Sequence, residues 1–233
     1  MSTTTLNPSC ALAQADLLLL VARCLSRPTA ESRPDLDEER RDLEELASAA
    51  GLPEPAVLLA AVREMRAAEP AARVREHTWM FEGVLACPPN ETAYVRRDKG
   101  GILADIAGFY NAFGFELAPQ AGEKADHVIT MLEFAALLLV MLDQARRHGD
   151  EAAEATTASA LSAFVRDHLA EWLPLFCERL AGATTLSCYR KIAELLLSVW
   201  HTTLGGSVLP QPDPLRVVPA DHGTPYECGM DRG

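Results

Sequence analysis

The segment KADHVITMLEFAALLLVMLDQARR, residues 124–147, holds the longest apolar stretch of the chain and repeats with the period of a helix. Its apolar residues recur at three- and four-residue steps and share one face, which carries Val128, Met131, Leu132, Ala135, Leu139 and Leu142. The uninterrupted stretch from Phe134 to Leu142, bracketed by Glu133 and Asp143, is too short for a bilayer span, which needs roughly 20 residues. We therefore predict a buried helix at the centre of a helical core.

Amphipathic periods predict further helices on both sides of this segment. They fall at about 10–27, 35–50, 54–69, 70–83, 98–114, 150–168 and 186–204, and another begins near Pro174. No segment alternates with period two for long enough to form a strand. The predicted fold class is all-α, a single-domain bundle of about eight to ten helices over residues 1–204. Residues 205–233 hold five prolines and five glycines, which predicts an extended or disordered tail.

The composition favours a cytoplasmic protein that does not bind nucleic acid. The net charge of −12 repels phosphates and suits a basic peptide, although acidity can also serve solubility alone. The six cysteines form no C-x-x-C pair, which favours reduced thiols. No basic residue precedes the first apolar run, so a secretory signal is not expected.

The usual catalytic signatures are absent from the sequence. We find no phosphate-binding loop, no G-x-G-x-x-G, no H-E-x-x-H and no G-x-S-x-G. The sequence therefore predicts no metal and no cofactor, and a protein that is not an enzyme. One alternative is a helical enzyme built on carboxylates, suggested by Glu133. This residue either pairs with an arginine, which we expect, or faces solvent at a helix edge. Another is a scaffold that binds a partner through the proline-rich tail segment PQPDPLRVVP, residues 210–219.

Unusual residues cluster between His77 and His127. The run MFEG, residues 80–83, precedes the loop CPPNETAYV, residues 87–95, and such aromatic and proline residues can form an apolar groove for an extended peptide or can simply seal the loop. Glu123, Asp126 and His127 stand at the predicted start of the longest helix. They can cap that helix, or they can offer acceptors to an arginine, with a neutral His127 leaving one ring nitrogen free to accept.

The order of these motifs resembles the TorD/DmsD/NarJ family of redox-enzyme maturation chaperones. The family element Glu-x-Pro-Asp-His is matched by Glu123, Asp126 and His127, with Ala125 in the proline position. Before it come an aromatic-Leu-Phe-x-Gly run, matched by residues 80–83, a Pro-Pro loop that ends in Tyr94, and a helix that follows Arg97. The resemblance is closest over about residues 70–145, and His77 stands where the family often has tyrosine.

The resemblance implies a helical chaperone, a monomer or a domain-swapped homodimer, that binds the catalytic subunit of a molybdenum oxidoreductase of the DMSO reductase superfamily. Such chaperones hold the twin-arginine leader and delay export until the molybdopterin cofactor is inserted, while NarJ-like members serve enzymes that stay in the cytoplasm. Neither nucleic acid binding nor stable membrane insertion is expected. We assign the leader-peptide site to Glu123, Asp126 and His127 as acceptors, with Glu91 beside them, and to an apolar wall of Phe81, Pro88, Pro89 and Tyr94.

Overall fold

The computed structural model of the chain describes residues 8–28, 40–83, 85–117 and 124–204. These ranges contain nine α-helices: α1 Pro8–Leu25, α2 Arg40–Ala49, α3 Pro55–Ala67, α4 Pro70–His77, α5 Lys99–Ala112, α6 Val128–His148, α7 Glu151–Phe164, α8 Leu173–Ala183 and α9 Ser187–Thr202. Two π-helical turns, Thr78–Glu82 and Val165–Leu169, extend α4 and α7, and a 3₁₀ turn covers Glu91–Ala93. No strand occurs within these ranges, so the all-α prediction is confirmed.

Helix α6 is the central element, as its apolar run predicts. It packs between α1 and α7, and 13 of its residues are buried. By length and composition it could cross a bilayer, but 72% of its most apolar window is buried inside the protein. Burial of this extent is typical of a core helix.

A second group of helices packs around α9. Helices α3 and α8 lie against α9, and α1 joins this group to α6. Trp172, Phe176 and Tyr189 are fully buried there, and the rings of Trp172 and Phe176 lie 5.9 Å apart in an edge-to-face arrangement. Aromatic burial of this kind contributes much of the energy of a helical core.

The loop at residues 87–95 is fastened to the start of α6 by backbone hydrogen bonds. The Glu91 N–H donates to the Asp126 carbonyl at 3.0 Å, and the Val128 N–H donates to the Pro89 carbonyl at 2.8 Å. This pairing holds residues 124–127 out of the helix. Helix α6 therefore begins at Val128, later than the start near Lys124 that the sequence predicts, and His127 becomes its N-cap.

The structure also bears on the expectations for Glu133 and for the cysteines. Glu133 is exposed at the edge of α6, so the expectation that it pairs with an arginine is wrong. Its neighbour in the pattern, Asp143, is buried and pairs with Arg147 at 2.6 Å. The five cysteines in the described ranges are free thiols.

Residues 205–233 lie outside the described ranges, so the division into a domain at 1–204 and a tail stays a prediction.

Candidate functional site

A cleft of about 450 Å³ opens where the end of α1, the π-helical turn after α4, the loop at residues 89–90 and the start of α6 meet. Three of the predicted site residues line it: Phe81, Pro89 and His127. The other lining residues are Leu25, Arg27, His77, Glu82, Asn90, Lys124, Val128 and Ile129. Six of the eleven lining residues are polar or charged and five are apolar, so the cleft is of mixed character.

The π-helical turn Thr78–Glu82 shapes one wall of this cleft. Gly83 closes the turn by donating its N–H to the Thr78 carbonyl at 2.7 Å. The ring of Phe81 then meets the ring of His77 edge to face, with centroids 4.9 Å apart. Such turns add one residue to a helix and often occur at functional sites, because they re-aim the side chains that follow.

His127 lines the cleft and uses one ring nitrogen to cap α6. Burial lowers its pKa to about 4, so the ring is neutral near pH 7, as predicted. Its Nδ1 accepts the Ile129 N–H at 3.3 Å, which caps α6. In a neutral imidazole the other nitrogen then carries the proton. The expectation of a free accepting nitrogen is therefore wrong, because the helix uses that nitrogen.

Asp126 lies beneath the cleft and is fully buried. Its carboxylate accepts hydrogen bonds from Asn90 Nδ2 at 3.0 Å, the Thr92 N–H at 3.1 Å and Thr92 Oγ1 at 2.7 Å. These contacts fix the loop against α6 and leave little room for an arginine from a ligand. The structure therefore gives Asp126 the geometry of a positioning residue.

Glu91 is also fully buried and is not one of the residues that line the cleft. Its carboxylate accepts from Arg97 at 3.1 Å, and it lies 3.2 Å from Nδ1 of the buried His168. Burial raises the pKa of Glu91, and the neighbouring His168 opposes that shift. The residue ties the loop to the π-helical turn after α7.

Two further predicted residues, Pro88 and Tyr94, do not line the cleft. Pro88 is buried, and Tyr94 packs on Trp172 with ring centroids 5.5 Å apart. Burial raises the pKa of the Tyr94 hydroxyl, as expected in an apolar setting. These two residues seal the loop to the core, which is the alternative that the sequence left open. Glu123 lies outside the described ranges.

Several residues that line the cleft were not predicted from the sequence. Arg27, Glu82 and Lys124 supply its charges, and His77 supplies a buried ring. His77 carried a signal, because it replaces a tyrosine of the family pattern. Arg27 carried none, since only tertiary packing brings residue 27 beside residue 82. Among the described residues, no group of three or more His, Cys, Asp or Glu side chains could hold a metal.

The described helices and the cleft define an all-α protein with a surface site of mixed polar and apolar character. The chain belongs to the family described as nitrate reductase delta subunit, whose family profile matches residues 33–178. The resemblance to the TorD/DmsD/NarJ chaperones is thereby confirmed at the level of the family.

Three relatives extend this assignment. The chain is 37% identical over 110 residues to the chlorate reductase assembly chaperone protein of Ideonella dechloratans, covering 47% of this chain and 56% of that protein. It is 38% identical over 115 residues to the selenate reductase assembly chaperone protein of Thauera selenatis, covering 48% and 58%. It is 26% identical over 115 residues to the chaperone protein TorD of Vibrio vulnificus (strain YJ016), covering 47% and 51%. The matches thus span about half the length of these relatives. All three relatives are named as chaperones, which agrees with the prediction that this chain is not an enzyme.

Proposed function

We propose that this chain is a cytoplasmic assembly chaperone for the catalytic subunit of a molybdenum oxidoreductase of the DMSO reductase superfamily. In this proposal it binds the twin-arginine leader or N-terminus of that subunit and holds it until the cofactor is inserted, before export. The observation that carries the proposal is the similarity to proteins named as assembly chaperones of chlorate and selenate reductases. Counterparts of those reductases are the first clients to test.

The cleft supports the peptide-binding part of the proposal. Leu25, Phe81 and Ile129 give it apolar surface, and His127, Asn90 and Lys124 give it polar groups. An extended peptide needs such a mixture, because its main chain must form hydrogen bonds while its side chains are buried. The five free cysteines suit a reducing compartment, which agrees with the proposed cytoplasmic location.

The structure removes the reason for considering a helical enzyme. That alternative depended on a buried carboxylate at Glu133, and that side chain is exposed. The scaffold alternative depends on residues 210–219, which lie outside the described ranges. Neither alternative has a structural observation in its favour, so we propose only the chaperone function.

Calorimetry with synthetic leader peptides tests the proposal directly. The peptides are the N-terminal segments of the molybdenum oxidoreductases found in the same genome, and each is matched by a scrambled peptide of the same composition. We expect binding of one leader and no binding of its scrambled control. A strain that lacks the chain should also produce the client subunit with less bound molybdenum. Equal affinity for leader and scrambled peptides, together with normal molybdenum content, would refute the proposal.

A further inference from the structure

His168 is a buried histidine with a carboxylate at each of its ring nitrogens, and it is not one of the residues that line the cleft. Its Nδ1 forms a hydrogen bond of 3.2 Å with Oε2 of Glu91, and its Nε2 lies 3.3 Å from Oδ2 of Asp105 on α5. The rings of Phe109 and Phe164 pack on the imidazole, with centroids 5.6 and 5.5 Å from its own. The histidine is thus a polar link between two elements, set among aromatic rings.

Only a ring with a proton on both nitrogens suits both carboxylates. An ionised carboxylate can only accept, while a neutral imidazole has one donor and one acceptor. A neutral His168 would therefore turn a lone pair towards Glu91 or towards Asp105. Nε2 has no hydrogen-bond partner among the described residues, so its contact with Asp105 is one between opposite charges. The geometry therefore favours the imidazolium form.

The other charged groups around the ring are already paired. Arg97 donates to Oε1 of Glu91 at 3.1 Å and to the carbonyl of Asp167 at 2.9 Å. On the same π-helical turn as His168, the carboxylate of Asp167 is paired with Arg166 at 2.7 Å. The second oxygen of Glu91 therefore depends on His168.

Glu91 connects this cluster to the cleft. It directly follows Pro89 and Asn90, which line the cleft, and its N–H donates to the Asp126 carbonyl at 3.0 Å. The carboxylate of Asp126 adds a further negative charge to its surroundings. A fully buried carboxylate is stable only while opposite charges and donors surround it. Loss of the positive charge of His168 therefore weakens the hold on Glu91 and on the cleft wall beside it.

We infer that His168 is a positioning residue for the cleft: as an imidazolium it holds Glu91 and, through it, the wall formed by Pro89 and Asn90. The inference deepens the proposed function and rests on it for the use of the cleft as a peptide site. When the ring loses its proton, this wall is held less firmly. Because the charge of histidine changes near neutral pH, the order of the wall depends on pH.

Amide hydrogen exchange of the folded chain tests the inference without any ligand. The N–H groups of Glu91 and Val128 pair the loop with the start of α6, so their protection from exchange measures how firmly the loop is held. Relative to the intrinsic exchange rate at each pH, we expect this protection to fall about tenfold from about pH 6 to about pH 8.5. Nitrogen-15 shifts of the His168 ring should show protons on both nitrogens at the lower pH and the loss of one over the same range.

Two variants separate the charge of the ring from its packing. His168→Gln keeps a hydrogen-bond donor but cannot take up a charge, so protection should be low throughout, with no step in pH. Asp105→Asn removes the negative charge at Nε2, so the step should move to lower pH. Asp105 is 64% exposed, so this variant remains a test even where His168→Gln fails to fold. His201→Gln and Asp42→Asn make the same changes at exposed positions and should keep the wild-type profile.

Protection that does not change with pH in the wild type would overturn the inference and leave the proposed function standing. A step that survives in His168→Gln, or that stays in place in Asp105→Asn, would do the same. Where a leader peptide binds, its affinity should weaken several-fold over the same pH range, and constant affinity would show that His168 does not position the peptide site. If no leader binds, the proposed function falls, while a pH step in the free protein still supports the role of His168 in holding the cleft wall.

Discussion

At the scale of single residues, Asp126 holds the loop at residues 87–95 against the start of α6. Its three hydrogen bonds join Asn90 and Thr92 to the start of α6. A fully buried carboxylate that is satisfied in this way stabilises a structure, because its removal leaves the donors unpaired. The family motif at this position therefore has a structural reason that is independent of peptide contact.

We predict that Asp126→Ala lowers the free energy of unfolding by about 3 kcal/mol, since three donors lose their acceptor. Urea denaturation followed by circular dichroism measures the change. Glu116→Ala removes an exposed carboxylate and serves as the control, with a change near zero. An Asp126→Ala protein that keeps wild-type stability but loses peptide binding would show that Asp126 contacts the ligand directly.

The pH dependence of stability should report on His127. Its pKa falls from the ordinary 6.5 to about 4 in the folded protein, chiefly through burial. Between these values the unfolded chain binds more protons than the folded one, so stability rises with pH in this window. The contribution is complete above pH 6.5 and decreases as the pH falls towards 4.

The variant His127→Asn isolates this effect, because asparagine caps helices well and does not titrate. Relative to it, the wild type should lose up to about 3 kcal/mol of stability between pH 6.5 and 4. Urea midpoints at several pH values measure the difference, which cancels the carboxylates common to both proteins. Parallel curves for the two proteins across this range would contradict the prediction that His127 is neutral when folded.

At the scale of elements, α4 is held in place by a contact far away in sequence. Glu76 accepts hydrogen bonds from Thr184 Oγ1 at 2.8 Å and from the Thr185 backbone N–H, at the turn between α8 and α9. Partial burial raises the pKa of Glu76, but the donors on Thr185 and Thr184 outweigh it, so the net shift is downward. The clamp fixes the helix that carries His77 into the cleft.

We predict that Glu76→Gln lowers the free energy of unfolding by about 1 kcal/mol at neutral pH. Because the folded pKa lies below the unfolded value of 4.5, the stabilisation by the carboxylate is present above that value and is lost as the pH falls through the folded pKa. The wild-type and variant proteins should therefore converge in acid. Chemical denaturation at neutral and acidic pH measures this, and the exposed Glu178→Gln serves as control. A gap that persists in acid would mean that side-chain packing, not charge, holds the clamp.

The helices themselves could be predicted from the sequence, because their periodicity is a local property. The apolar face of α6 and the prolines in the first turns of α3, α4 and α8 can be recognised from short stretches of sequence. The start of α6 could not be predicted, because it depends on pairing with Pro89 and Glu91, far away in the chain. The roles of Asp126 and His127 could not be predicted for the same reason. The residue type shows which hydrogen bonds a side chain can form, but only the folded structure shows whether the protein itself already uses them.

At the scale of the whole molecule, 33 acidic and 21 basic residues give a net charge of −12, although Arg27 and Lys124 stand at the cleft itself. The long-range field therefore attracts cationic peptides, while the strength of any fit in the cleft depends on local groups. We expect the association rate constant of a leader peptide with two adjacent arginines to fall about tenfold from low to high salt, and its dissociation rate constant to change little. Stopped-flow fluorescence separates the two rates, and a peptide with glutamines for the arginines should show a much weaker salt effect. A salt effect confined to dissociation would place the charge complementarity inside the cleft rather than in the field of the protein.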